Sequence, residues 1–147
     1  MKIYTASSWR NPFYDGIVAS LKAAGHDVYD FKTTISTHGK TVAFNWNQCD
    51  ENWENWDFSG FMKGLEHPLA KNAFAADKNG MDTADIGVLV LPCGSSAHLE
   101  AGYMVGRGKP VYVLLPPGVI RAELTYKLAT KILSDNGELV EELEHVR

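Results

Sequence analysis

The chain has 147 residues, enough for one domain of ordinary size and too few for a second independent one. An apolar fraction of 45% beside a charged fraction of 22% excludes a wholly disordered or fibrous chain and allows a full hydrophobic core. Fourteen basic against eighteen acidic residues leave a net charge of −4, which argues against a broad binder of nucleic-acid polymer but leaves room for one local anion pocket.

Lys2–Ala6 is a strand candidate that runs into the polar loop Ser7-Ser8-Trp9-Arg10-Asn11. Asn11 is placed to cap a helix that begins at Pro12, with Ile17, Val18, Leu21 and Ala24 as its apolar stripe. Gly25 then stands where a helix end wants a left-handed residue, and residues 27–31 form the second strand candidate. Residues 32–83 are unlike the rest: Phe44, Trp46, Trp53, Trp56, Phe58 and Phe61 lie among Asn, Gln and Asp with little aliphatic content, before a helix opening at Pro68. The spacing of Trp46, Trp53 and Trp56 aligns them on one helix face, either as a satellite core or subunit contact, or as an aromatic wall for a planar ligand.

Residues 86–91 are a continuous apolar run, the pattern of a strand buried on both faces. The turn Pro92-Cys93-Gly94-Ser95-Ser96 leads into a helix over about 97–105, Lys109-Pro110 introduces a strand at 111–115, and helices are expected at 120–133 and 138–146. Strands alternating with helices give an α/β fold: a flavodoxin/Rossmann-like parallel sheet with helices on both faces. The expectation is a single domain over 1–147, with the Trp-rich segment at about 44–61 serving the substrate or an interface. The longest apolar stretch, 86–92, is far short of the roughly 20 residues of a membrane helix. The N-terminus turns polar at once, and Cys49 and Cys93 make no disulfide framework. The chain reads as cytoplasmic, with no membrane partner.

In open parallel sheets ligands bind in the loops outside the carboxyl ends of the strands. Two such loops, Ser7–Asn11 and Gly94-Ser95-Ser96, are rich in small polar residues and lead into helix N-termini, where free N–H groups favour an anion. Arg10 adds a charge-assisted partner for phosphate or carboxylate, although plain capping explains serine and asparagine there equally well. Glu100 is the candidate nucleophile: with Ser96 as N-cap it falls at the fourth helical position, too late for a capping box, and the nearby helix start keeps a carboxylate ionised.

Other chemistries are disfavoured. The glycines at 102, 106 and 108 precede a strand and so make no dinucleotide fingerprint, and Lys109-Pro110 excludes a Walker loop. Cys93 with His98 lacks the arginine of a cysteine phosphatase loop, since Leu99 stands there, and a packed thiol is the simpler reading. Histidines at 26, 38, 67, 98 and 145 make no metal-binding spacing, so no metal is expected.

Three stretches carry a resemblance: Ile3-Tyr4-Thr5-Ala6-Ser7-Ser8-Trp9-Arg10; Ala73-Phe74-Ala75-Ala76-Asp77 running to Ala84-Asp85; and Gly94-Ser95-Ser96-Ala97-His98-Leu99-Glu100-Ala101-Gly102-Tyr103 with Gly108-Lys109-Pro110. Together they resemble the nucleoside 2-deoxyribosyltransferase superfamily, which includes the nucleoside 5′-monophosphate N-glycosidases. The resemblance implies an enzyme that cleaves an N-glycosidic bond through a glycosyl-enzyme intermediate. Glu100 matches the family nucleophile, Asp77 the acid near the leaving base, and Tyr4 a tyrosine that contacts the nucleotide. Ser7, Ser8 and Arg10 match the phosphate-facing loop, with Gly94, Ser95, Ser96 and His98 beside a second phosphate-binding serine, and Trp46 and Trp53 are taken as substrate contacts. Two carboxylates about 5 Å apart suit a retaining double displacement, by analogy with retaining glycosidases.

The resemblance further implies no cofactor, a small-molecule nucleotide or nucleoside as partner, and a homodimer. Arg10 and the serines favour a phosphate-bearing substrate and hydrolysis over base exchange between nucleosides. A non-catalytic nucleotide-sensing module on the same scaffold and an activity releasing nicotinamide are the alternatives.

Overall fold

In a computed structural model of the chain, which describes residues 1–33 and 43–146, the apolar runs pair into one parallel sheet. Among the described residues it has five strands: β1 (Lys2–Ala6), β2 (Asp27–Tyr29), β3 (Ile86–Val90), β4 (Val111–Leu114) and β5 (Lys131–Leu133). Their order is β2-β1-β3-β4-β5, the flavodoxin arrangement. The helices are α1 (Tyr14–Ala23), α2 (Phe58–Leu65), α3 (Pro68–Thr83), α4 (Ser95–Gly106) and α5 (Asn136–His145). The chain divides into two compact units, residues 31–80 and the remainder, and each is described by itself.

The sheet unit follows the two-residue period of its strands. Tyr4, Ala6, Leu89, Leu91, Val111 and Val113 face the side covered by α4, where Ala97, Ala101 and Met104 complete a buried cluster. The alternate residues point to the side of α1 and α5, whose buried stripes are Ile17, Val18 and Leu21, and Leu139 and Leu143. Asn136 Nδ2 donates to Ser20 Oγ at 2.7 Å and ties these two helices together. Gly87 lacks a side chain because Met104 Sδ lies 2.8 Å from where its Cβ would be, so α4 seats close to β3.

Lys109 is an internal staple. Its ammonium donates to the carbonyls of Met81 at 2.9 Å and Asp82 at 2.7 Å, and also to that of Ala84, so one cation satisfies the end of α3. Tyr103 on α4 donates to Asp82 Oδ1 at 2.6 Å in the same corner.

Two of these elements depart from the sequence reading. Helix α1 begins at Tyr14 and not at Pro12, because Asn11 Oδ1 accepts from Phe13 N at 2.8 Å and closes a turn first. Gly25 does take the left-handed conformation, at φ 83°. Residues 120–133 are not a helix: a short 3₁₀ turn (Leu124–Leu128) precedes β5. The spacing of Ile120, Leu124 and Leu128 imitates a helical stripe, yet all three are exposed.

In the 31–80 unit the tryptophans do not share a helix face. Trp46 and Trp53 open two separate 3₁₀ turns, and Trp56 is extended before α2. Trp46 meets the rings of Phe44, Trp56 and Phe61 edge to face, at centroid separations of 4.9, 5.5 and 6.2 Å. The Trp56 ring lies against Gly60 and Gly64 of α2, and its Nε1 donates to Asp50 Oδ2 at 2.7 Å. The aromatic run thus builds a satellite core around Trp46 and Trp56.

Replacing Lys109 with Met keeps the stem length but leaves three carbonyls without their charged donor. We expect a stability loss of about 2 kcal/mol in urea denaturation. A loss under about 0.5 kcal/mol would contradict the staple.

Candidate functional site

The strand order reverses between β1 and β3, so the loops after these paired strands lead to helices on opposite faces, α1 and α4, the usual binding place in open α/β sheets. One main-chain atom fixes its floor. The Val90 carbonyl, at the end of β3, accepts from Ser7 Oγ at 2.9 Å and Asn11 Nδ2 at 3.2 Å. Asn11 Nδ2 also donates to Ser7 Oγ at 2.9 Å, and Asn11 is 4% exposed. Ser7 and Asn11 therefore anchor the β1–α1 loop. Ser8 Oγ accepts from Arg10 N at 3.3 Å, while the Arg10 side chain is exposed and makes no ion pair among the described residues.

The two helix starts at this edge differ. The amides leading into α1 are used internally: Asn11 N bonds Ser8 O, Phe13 N bonds Asn11 Oδ1, and Tyr14 N bonds Asn11 O. Helix α4 has Gly94 as its N-cap, which carries no side chain to cap with, and Ser95 and Ser96 are exposed. The uncapped start of α4 thus leaves donors available for an anion.

Helix α4 begins at Ser95, two residues earlier than the sequence reading placed it, so Glu100 is the sixth helical residue and not the fourth. Glu100 is half-buried beside Ala101, which faces the sheet. Its charge reaches the Cys93 thiol at the foot of the helix. Burial, with a smaller push from Glu100, raises that thiol to about 11 against an opposing pull from Arg121.

Tyr4 sits on β1 with its ring covered and stacked on Tyr29 at 5.0 Å. His98 is fully engaged: Nδ1 donates to Gly94 O at 2.7 Å, so Nε2 accepts from Tyr126 Oη at 2.8 Å. The sheet unit carries Tyr4 on β1, Ser7, Ser8 and Arg10 in the loop after β1, and Gly94, Ser95, Ser96, His98 and Glu100 from the N-cap into the second turn of α4. Asp77, half-buried on α3, belongs with Trp46 and Trp53 to the 31–80 unit. His38 lies outside the described residues, and among those described no three His, Cys, Asp or Glu side chains converge to hold a metal.

Arg121 escaped the sequence reading. Its Nη1 donates to the Cys93 carbonyl at 3.0 Å, and its Nε pairs with Glu123 at 3.0 Å. The signal was available, since a charged residue in the loop after β4 stands at the same carboxyl edge of the sheet. The helical expectation over 120–133 hides it, because that expectation puts Arg121 on a helix and not in a loop.

A thiol titrating near 11 is about one part in a thousand thiolate at pH 8, too little for a nucleophile. Alkylation by iodoacetamide at pH 8 should therefore modify half-buried Cys49 well before Cys93, as read by peptide mass spectrometry. Modification of Cys93 at the faster rate would contradict the assignment of an inert thiol.

No family model matches the chain, and a search of curated proteins returns no match. Solved structures do match. A 2-deoxyribosyltransferase from the psychrotolerant bacterium Bacillus psychrosaccharolyticus superposes with TM-score 0.61 at 19% identity, over 95% of this chain and 90% of that one. A conserved protein from Enterococcus faecalis V583 superposes with TM-score 0.65 at 16% identity, over 100% and 99%. A CMP N-glycosidase from Clostridium botulinum gives 0.52 at 14%, over 98% and 99%. Likeness at these identities establishes a shared fold along essentially the whole chain.

Proposed function

We propose that this chain cleaves the N-glycosidic bond of a nucleoside 5′-monophosphate, using Glu100 as the nucleophile. The observation that carries the proposal is the layout of α4. One rigid helix presents uncapped backbone donors at Gly94 to Ser96 and a half-buried carboxylate at Glu100. Five residues separate Ser95 from Glu100, which is about 7.5 Å of helix rise and of the scale that separates a 5′-phosphate from C1′ of the same sugar. An anion held at the helix start thus brings the anomeric carbon toward the carboxylate. The fold shared with a 2-deoxyribosyltransferase and a CMP N-glycosidase supports the same reading.

In this mechanism a Glu100 carboxylate oxygen attacks C1′, the C1′–N bond breaks, and the electron pair leaves on the base. The departing base takes up a proton from solvent, and Tyr4, buried on β1, supports the site from the sheet. Water then attacks C1′ of the glycosyl ester, which returns the Glu100 carboxylate and releases the sugar phosphate. A second base in place of water gives transfer. Ser8 and Arg10 face the phosphate, and Ser7 supports them from its bond to Val90.

A chromatographic panel of ribo- and deoxyribonucleoside monophosphates and free nucleosides tests the proposal. Wild-type protein should release free base from at least one monophosphate. Glu100→Gln should slow that release by at least about a thousandfold, because the covalent route is removed. Arg10→Ala should raise KM for the monophosphate about ten- to a hundredfold, the worth of a charge-assisted bond, and leave the free nucleoside unaffected. Undiminished release by Glu100→Gln would overturn the mechanism, and equal losses for both substrate classes would remove the phosphate role of Arg10.

A further inference from the structure

The segment that follows β4 holds the loop after β3 at two consecutive peptide groups. Arg121 Nη1 donates to the Cys93 carbonyl at 3.0 Å. Tyr126, 6% exposed, donates to His98 Nε2 at 2.8 Å, and His98 Nδ1 donates to the Gly94 carbonyl at 2.7 Å. The His98 and Tyr126 rings stack within 14° of parallel, with centroids 5.8 Å apart.

In a trans peptide the C=O and the following N–H point in opposite directions. Among the described bonds the cis one is Leu91–Pro92, so the next two after Cys93 are trans. Holding the Cys93 carbonyl therefore aims Gly94 N–H away from Arg121, and holding the Gly94 carbonyl aims Ser95 N–H away from His98. A charged donor on the first carbonyl also polarises its peptide and strengthens the N–H on the other side. Gly94 needs such restraint, because a glycine at this point turns freely and no side-chain cap fixes it.

We infer that Arg121 and the Tyr126–His98 pair are positioning residues that set the direction of the Gly94 and Ser95 amides for a phosphate-bearing sugar. This rests on the function proposed above and assigns its phosphate selectivity to residues outside the loop itself. None of the three forms the reacting bond. Their effect is on which substrates bind, with the intrinsic reactivity of Glu100 left alone.

The test uses the full chain with Tyr126→Phe, which removes one hydroxyl and keeps the ring, and with Arg121→Ala and Arg121→Lys. In turnover, Tyr126→Phe and Arg121→Ala should each raise KM for the monophosphate about five- to tenfold. Their kcat should stay within about twofold, KM for the free nucleoside should not change, and Arg121→Lys should recover part of the loss. A general loosening of the fold would lower both substrates together, and that result would overturn the inference.

A second readout needs no turnover. The amide resonances of Gly94 and Ser95 are followed by NMR during titration with ribose 5-phosphate, and with ribose as the uncharged control. The inference expects saturable shifts with ribose 5-phosphate alone, weakened about five- to tenfold in the two variants. Absent shifts in the wild type, or equal affinity in the variants, would overturn it. Saturable, variant-sensitive shifts in a protein that cleaves no nucleotide would instead sink the proposed reaction and leave the positioning role standing.

Discussion

The carbonyl of Val90 is where the sheet becomes a site. It closes β3 at the point where the strand order reverses, and it accepts from both Ser7 and Asn11 of the loop after β1. A buried carbonyl at a strand end must find partners or cost free energy, and two side chains from the neighbouring strand's loop meet that need. The same two bonds tie that loop to the end of β3. With Asn11 committed there, its carbonyl side-chain oxygen caps the turn before α1, and the donors at that helix start are consumed. The open donors stand at the start of α4, where Gly94 is the N-cap.

Helix α4 then carries two demands at once. Its sheet-facing residues are small, Ala97 and Ala101, and it meets β3 where Gly87 has no side chain, so the helix lies close over the sheet. Close seating fixes the angle at which Glu100 leaves the helix at the edge of the buried face. The Cys93 thiol stays protonated by burial, so it supplies no anionic nucleophile at neutral pH. Lys109 and Tyr103 hold the corner on the far side, where α3 ends. Arg121 and Tyr126 hold the near side. The arrangement reads as a rigid support for one helix, which is what positioned covalent catalysis asks of a fold.

Much of this was legible in the residues. The continuous apolar run at 86–91 carries the pattern of a strand buried on both faces, and β3 forms there, while Gly25 marks the end of α1. The polar loops before Arg10 and Glu100, singled out by pattern, do follow β1 and β3, at the carboxyl edge of the sheet. The misreadings have physical causes. Ile120, Leu124 and Leu128 repeat every four residues without being buried, so periodicity suggested a helix where a 3₁₀ turn and a three-residue edge strand stand. That error concealed Arg121. The tryptophan spacing likewise suggested a helix, whereas Trp56 is drawn onto the bare face that Gly60 and Gly64 expose, a fit that only the folded 31–80 unit displays. Start positions of α1 and α4 moved by two residues because side-chain bonding at Asn11, and its absence at Gly94, decided them.

The central claim is that Glu100 forms a bond to the sugar, and trapping that bond tests it most directly. Fluorine at C2′ of a nucleoside 5′-monophosphate destabilises the charged transition states at C1′ and slows both formation and breakdown of the intermediate, while a good leaving base restores formation, so the intermediate accumulates. Intact-protein mass spectrometry after incubation should show the added mass of one fluorinated sugar phosphate. Peptide fragmentation should place it on Glu100, and Glu100→Gln should remain unlabelled. A label on another residue, or base release with no adduct at any time, would contradict the account.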